Sequence, residues 1–362
     1  MSTLGPIFGL AERETRNRVA TPEETGLQRS VIAHLPGYQL HSSNMAFGPD
    51  LSTIHQAREL LARYLPATRA VAARSLSSDG APVYLKLETD LPTGSFKPRG
   101  AIYALATNLG RRKIAEVTAS STGNHGAAVA YAGNVLGVPA TIFLPANPNP
   151  VKRDKIRELG ARIIEGGAAD LAQAFRQADE YSRRPGVYFM NDATDPDLPA
   201  GPGTIGLEIV EQVPAVSTIY VPMGDTALIR GLAAAAKQLI PKVKIIGVQA
   251  ERAPSYFLSW KEGATIATDT CDTCADGLAT RTPDAENVRA IRELVDDVVL
   301  VSEEQMLCAI RRLHEQEGVV AEPAGAAATA AFLASPPRVG TSVLLVSGGN
   351  ISEQVRRQAG IP

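Results

Sequence analysis

The sequence predicts an α/β fold in which parallel sheets carry helices on both faces. Two observations support this. From Ser52 onward, short apolar runs alternate with amphipathic ones, a strand-then-helix rhythm. Glycine-rich or polar segments sit where strand passes into helix, and ligands of such folds bind beyond the carboxyl ends of the strands. The length of 362 residues allows two domains or one large α/β unit, with a core that needs no staples.

Residues 1–50 are poorly periodic and hold clusters of Pro, Ser and Asn. We read them as an extension that wraps the body or contacts a partner. The apolar stretch Leu4 to Leu10 has no basic region ahead of it and is followed by Glu12, Arg13, Glu14 and Arg16, so no secretory signal is expected. Ser52 is placed to cap a helix running through Leu60 and Leu61. Val83 to Leu87 alternates as a strand does. Pro98 suits the first turn of a helix that ends near Gly110. Ile114 to Thr118 reads as a strand and Asn124 to Leu136 as a helix. Thr141 to Leu144 is a strand, and Val151 to Leu159 a helix closed by Gly160. Ile163 and Ile164 form another strand, followed by a helix from Ala168 to Tyr181. Strands continue at Val187 to Met190, Thr218 to Val221, Val243 to Val248, Val298 to Val301 and Val343 to Val346. The Ala-rich stretch Ala324 to Ala331 reads as a tightly packed buried helix.

Composition excludes several classes. A hydrophobic share of 44% with 20% charged residues is an ordinary globular balance. The formal net charge of -2 comes with no basic stripe, so nucleic acid is not an expected partner. Nothing approaches a membrane-spanning run. Three cysteines make no disulfide framework and suit a reducing compartment, so the cytoplasm is the expected location. Cys271 and Cys274 have CxxC spacing, but no second ligand pair lies nearby and structural zinc wants four ligands; they read as loop cysteines.

Four segments at strand-to-helix junctions carry candidate chemistry. In Thr93-Gly94-Ser95-Phe96-Lys97-Pro98-Arg99-Gly100 a lysine stands between a glycine turn and a proline-started helix. Such a lysine can form a Schiff base with an aldehyde cofactor. A surface lysine is the plainer account, although a cation at a helix start is mildly unfavourable. In Ser120-Ser121-Thr122-Gly123-Asn124-His125-Gly126, hydroxyls, an amide and backbone N–H groups converge at a helix start. That makes a carboxylate receptor, with simple capping by Ser121 or Asn124 as the alternative. Pro222-Met223-Gly224-Asp225-Thr226-Ala227-Leu228 can cradle a phosphate through its N–H groups, although it lacks the spacing and lysine of a nucleotide-binding loop. Asp225 would repel a phosphate and is expected to face away. In Val346-Ser347-Gly348-Gly349-Asn350, two glycines let a flat ring approach the backbone and Ser347 can bond a ring nitrogen; a strand-end turn is the alternative.

Taken in this order, these segments resemble the serine/threonine dehydratase family of fold type II pyridoxal-phosphate enzymes, within the tryptophan synthase beta-like superfamily. The resemblance runs from Tyr84 to Asn350 and includes Gly201-Pro202-Gly203-Thr204, Ala275-Asp276-Gly277-Leu278-Ala279 and Glu322-Pro323-Ala324-Gly325-Ala326. It implies two open parallel-sheet domains with helices on both faces: a large cofactor-binding domain of residues 51–112 and 197–362, and a small domain of residues 113–196. It implies pyridoxal 5'-phosphate as cofactor, a small amino-acid substrate and a homodimer. Lys97 would carry the cofactor and then act as the base at the substrate α-carbon. Phe96, Asn124, Gly224, Asp225, Thr226, Ala227, Leu228, Ser347 and Gly348 would hold the cofactor. Asn124 would approach its ring hydroxyl, and Ser347 its ring nitrogen. Ser121, Thr122, Asn124 and His125 would bind the substrate carboxylate. The reaction implied is loss of the β-hydroxyl of a small L-hydroxy-amino acid, the cofactor phosphate serving as the acid, to give a 2-oxo acid and ammonia. Glu322 lies in a family motif without an assigned role.

Several departures qualify the resemblance. The family's glycine run at the phosphate loop is replaced by Gly224-Asp225-Thr226-Ala227. Gln249 stands where many relatives carry a metal-binding glutamate, so no metal is expected there. Leu35-Pro36-Gly37-Tyr38 is similar to a segment of diaminopropionate ammonia-lyases, which keeps an amine leaving group open. Thr122 occupies the position where related racemases carry a serine as second base, so elimination is expected over racemisation. Other rivals on this scaffold are β-replacement, threonine synthesis and a non-catalytic cofactor-binding regulator. Ammonia and oxo-acid release separates these readings.

Overall fold

Local capping chemistry decides where the helices begin. In the computed structural model, which describes residues 48–362 apart from Asn147 and Asn149, helix α1 (Leu51–Leu61) starts after Asp50. The Asp50 carboxylate accepts from Thr53 N at 2.7 Å, so Ser52, the expected cap, lies inside the first turn. The expectations for the N-terminal extension, for Leu4 to Leu10 and for Leu35 to Tyr38 lie outside the described residues.

The chain continues through β1 (Ala70–Ala72), β2 (Val83–Leu87), α2 (Lys97–Arg111), β3 (Glu116–Ser120), α3 (Asn124–Leu136), β4 (Ala140–Phe143) and α4 (Pro150–Glu158). Next come β5 (Arg162–Ile164), α5 (Leu171–Ser182), β6 (Val187–Phe189), α6 (Ala200–Gln212), β7 (Val216–Pro222) and α7 (Ala227–Leu239). The last elements are β8 (Lys244–Ala250), α8 (Ser255–Glu262), α9 (Ala285–Leu294), β9 (Asp297–Val301), α10 (Glu303–Glu317), α11 (Pro323–Ala334), β10 (Thr341–Val346) and α12 (Glu353–Ala359).

Among the described residues the strands form two sheets. One is six-stranded in the order β1-β2-β10-β7-β8-β9, and the other four-stranded in the order β5-β4-β3-β6. Every pairing is parallel except β1 with β2. That antiparallel edge strand departs from the expectation of parallel sheets. Its three residues are too few to show a period, and pairing to β2 creates it. Several elements shift by a few residues, and two of these shifts have a visible cause. Strand β3 starts at Glu116 rather than Ile114, because its first paired residue is Glu116, opposite Val187 of β6. Helix α5 starts at Leu171 rather than Ala168, because the Asp170 carboxylate accepts from Gln173 N at 2.8 Å and caps it.

Burial explains the rest of the pattern. Strand β10 is buried at every position and lies between β2 and β7, as its unbroken apolar run requires. Helix α11 is buried from Pro323 to Phe332, as its alanines led us to expect. A Cβ on Gly325 would lie 2.1 Å from Gly348 O, so glycine allows the helix to press against the loop after β10. The close approach brings Glu322, at the start of α11, beneath that loop. No helix among the described residues is long and apolar enough to cross a membrane.

Candidate active site

Segments far apart in sequence are stitched together at the carboxyl ends of the strands. Gly94 adopts φ +71, and its carbonyl accepts from Gly349 N at 2.9 Å. Phe96 N donates to Ser347 O at 3.0 Å. These bonds hold Lys97 in the first turn of α2, ahead of Pro98. Its ammonium lies 5.2 Å from the centre of the Phe96 ring. Phe96 packs against the apolar cluster that contains Met223 and Leu228.

The ammonium of Lys97 pairs with the carboxylate of Asp192, in the loop after β6. The other Asp192 oxygen lies 3.5 Å from His125 Nδ1. His125 Nε2 is 2.9 Å from Met190 O; a carbonyl only accepts, so Nε2 carries the proton. Burial opposes the Asp192 charge, yet His125, Lys97 and Arg230 outweigh it and hold the pKa at about 2. The loop itself is anchored: Ala193 O accepts from Asn287 Nδ2 at 2.9 Å and from Arg230 Nη2 at 3.4 Å. Asp192 was not singled out in the sequence. Its one signal there is its place just past the carboxyl end of a predicted strand.

Helix α3 opens at Gly123 with no side-chain cap. Ser121 Oγ accepts from Gly123 N at 3.2 Å, so neither Ser121 nor Asn124 caps the helix as the plainer account supposed. Beyond Gly123 the space is open, and nothing lies within 4 Å of where its Cβ would be. First-turn N–H groups that lack side-chain caps and face open space suit an anion. Thr122 is half-buried in the same turn. Asn124 turns inward: its Nδ2 donates to Glu322 Oε1 at 2.6 Å, and its Oδ1 accepts from Asn350 Nδ2 at 2.7 Å.

The Gly224–Leu228 segment leads from β7 into α7. Thr226 adopts φ +68, the one positive value among the described non-glycine residues. The backbone therefore keeps a shape that suits glycine although a β-branched residue stands there. Thr226 Oγ1 accepts from Arg230 Nε at 3.1 Å. A Cβ on Gly224 would lie 2.1 Å from Gly277 O, so glycine is required by the neighbouring loop. The Asp225 carboxylate accepts from Thr280 Oγ1 at 2.9 Å. Burial raises its pKa, Asp192 adds to the rise, and Lys97 opposes it. Ala227 and Leu228 are buried at the start of α7. Ser347 is buried beside the lysine segment, and a Cβ on Gly348 would lie 2.3 Å from Glu322 Oε1.

Residues 63–348 match the family model described as "Pyridoxal-phosphate dependent enzyme". The chain is 39% identical over 305 residues to an L-threonine ammonia-lyase of Thermotoga maritima, covering 83% of this chain and 75% of that protein. The chain belongs to the pyridoxal-phosphate dependent enzyme family. Its fold is similar to that of a solved threonine deaminase from T.th., with a TM-score of 0.78 and 33% identity over 84% of this chain and 99% of that one. It is also similar to maize serine racemase, with a TM-score of 0.81 and 28% identity over 87% of this chain and 97% of that one.

The residues present fit pyridoxal 5'-phosphate. A lysine stands beside the glycine-containing loop after β10, and the starts of α3 and α7, which follow two further loops, carry no side-chain cap. Ser95 Oγ and Ser120 Oγ, in two of these segments, are buried without hydrogen-bond partners, which leaves polar capacity unused in the lysine segment and in the segment before α3. Elsewhere, Gln249 Oε1 accepts from Phe257 N at 2.8 Å. The Cys274 thiol is pushed up to about 12 by burial and by Glu303, which disfavours the thiolate that metal or redox chemistry needs.

Proposed function

We propose that the enzyme eliminates water from L-threonine or L-serine and releases a 2-oxo acid and ammonia. The single observation that carries this reading is the ammonium of Lys97, seated on Asp192 and held on the rigid start of α2. The names of the relatives support it, since they are an L-threonine ammonia-lyase and a threonine deaminase. When bound, the cofactor withdraws electrons from the substrate and makes its α-proton acidic.

The residues of the chain supply the rest. Lys97 would hold the cofactor, and its free amine would take the substrate α-proton. Asp192, anionic with its pKa held at about 2, pairs with the ammonium that results. Ser121, Thr122, Asn124, His125 and the open start of α3 receive the substrate carboxylate. The N–H groups of Gly224 to Leu228 hold the phosphate. Ser347 would meet the ring nitrogen, and Gly348 and Phe96 would line the ring. Thr122 offers no second base on the opposite face, which favours elimination over racemisation. The large domain spans residues 51–112 and 197–362 and the small one 113–196; the enzyme acts in the cytoplasm as a homodimer.

The test is a panel of L-threonine, L-serine, hydroxyaspartate, phenylserine and 2,3-diaminopropionate, scored for ammonia and 2-oxo acid, with chiral chromatography of the residual substrate. Threonine or serine is expected to give both products in equal amounts with little D-isomer. Turnover of the diamino acid alone, or D-isomer accumulating as fast as ammonia, rejects this reading.

A further inference from the structure

Lys155 lies on α4, away from the four motif segments in sequence, yet its ammonium group reaches the cofactor loops. Nζ donates to Thr93 O at 2.9 Å and also to Asn350 Oδ1. Asn350 Nδ2 donates to Thr93 O at 2.8 Å and to Asn124 Oδ1 at 2.7 Å. Asn124 Nδ2 in turn donates to Glu322 Oε1 at 2.6 Å. The bonds therefore run in one direction, from an ammonium to a carboxylate, through two amides.

Each amide has an accepting end and a donating end of nearly equal size, so shape does not decide which way it faces. Three groups decide it: Lys155 and Glu322 at the two ends, and Thr93 O, which accepts from Asn350 Nδ2 and favours the same orientation as Lys155 does. An ammonium only donates, so Asn350 must show it Oδ1 and turn Nδ2 toward Asn124. Asn124 must then accept with Oδ1 and donate with Nδ2. Glu322 enforces the same direction only while ionised, and burial raises its pKa. Burial also lowers the pKa of Lys155, while each of the two residues favours the other's charged form. The amide nitrogen of Asn124 carries two N–H groups, and Glu322 takes one.

We infer that Lys155 is a positioning residue: acting through Asn350, it makes Asn124 present an N–H rather than its carbonyl to the cofactor's ring oxygen. The inference rests on the proposed contact between Asn124 and the cofactor. A donor there suits an electron-rich oxygen, whereas a flipped amide would set two acceptors against each other. Lys155 also ties α4, which belongs to the four-stranded sheet, to two loops of the six-stranded one.

The test uses the full-length enzyme, stripped of cofactor and titrated with pyridoxal 5'-phosphate. Borohydride reduction and peptide mapping of the wild type come first, because labelling away from Lys97 would reject the cofactor reading and not this one. Lys155→Met keeps the length of the side chain and removes the donor; Lys155→Arg keeps a donor. Lys155→Met is expected to shift the absorption maximum of the bound cofactor and to weaken its binding roughly ten- to a hundredfold, with only a small fall in the thermal midpoint of the apoenzyme. Lys155→Arg should restore the maximum and most of the affinity. Should the Met variant fail to fold, Asn350→Asp keeps the acceptor for Lys155 but cannot donate to Asn124, and it should show the same shift. An unmoved maximum and affinity, or equal losses in the Met and Arg variants, would overturn the inference.

Discussion

Two residues apart on α2, Lys97 and Arg99 sit in opposite kinds of ionic surroundings. Arg99 is 3% exposed, and its guanidinium bonds Glu88, Glu208, Thr68 and Thr204 at 2.7–3.1 Å. Lys86, also buried, donates to Glu208 at 2.6 Å and to Thr68 O at 2.7 Å. Two cations thus meet two carboxylates, and all three nitrogens of the guanidinium are engaged. Lys97, at 18% exposure, pairs with Asp192, an acceptor it shares with His125. The contrast separates holding from reacting. A buried charge with every bond made is fixed in place and cannot be spared, whereas a half-buried ammonium on one carboxylate can give up its proton and its position.

Three substitutions would break or sharpen this contrast. Lys97→Ala should abolish both turnover and the borohydride-stable label while leaving the fold intact; labelling of another lysine in the wild type would end the assignment. Arg99→Met should do the reverse. It leaves Glu88 and Glu208 buried with one cation, Lys86, between them, at a cost of about 3–5 kcal/mol in urea unfolding, while any folded fraction keeps the cofactor on Lys97. A loss under about 1 kcal/mol would mean that the cluster is not the scaffold we describe. Asp192→Asn is the smallest of the three: kcat should fall roughly ten- to a hundredfold, and the unfolding midpoint at neutral pH should fall as well, by less than in Arg99→Met, because the charge that folding favours is gone.

The same carboxylate gives a pH signature. The pKa of Asp192 is held at about 2, below the ~3.9 of an unfolded aspartate, so its contribution to stability is full above that value and is lost as pH falls toward 2. Thermal midpoints of the wild type should therefore decline across that window more steeply than those of Asp192→Asn. Parallel declines would place the acid sensitivity elsewhere.

Much of the fold was legible because the signals were local. Asn124–Leu136 matches its predicted helix at both ends, and the strands from β7 to β10 match within a few residues. The start of β3 was set by its pairing with β6, and β1, which the sequence did not show, exists through its antiparallel pairing to β2. At the site, the sequence motifs marked Lys97, the turn before α3, the loop after β7 and the glycines after β10. They did not mark Asp192, 95 residues from Lys97, nor the partnership of Glu322 with Asn124 across 198 residues. The glycines missing from the Gly224–Leu228 segment read as a departure, yet the backbone there keeps a left-handed conformation at Thr226.

The alternation of apolar runs and the glycine turns determined by themselves the fold class, and the Ser-Phe-Lys-Pro context singled out Lys97 as the lysine we propose carries the chemistry. Each is a property of neighbours along the chain, where backbone geometry and the period of burial are set. Only the tertiary structure decided which charges face that lysine and which way Asn124 presents its amide. Those choices depend on groups that share no stretch of sequence and meet because the two sheets bring their carboxyl ends together.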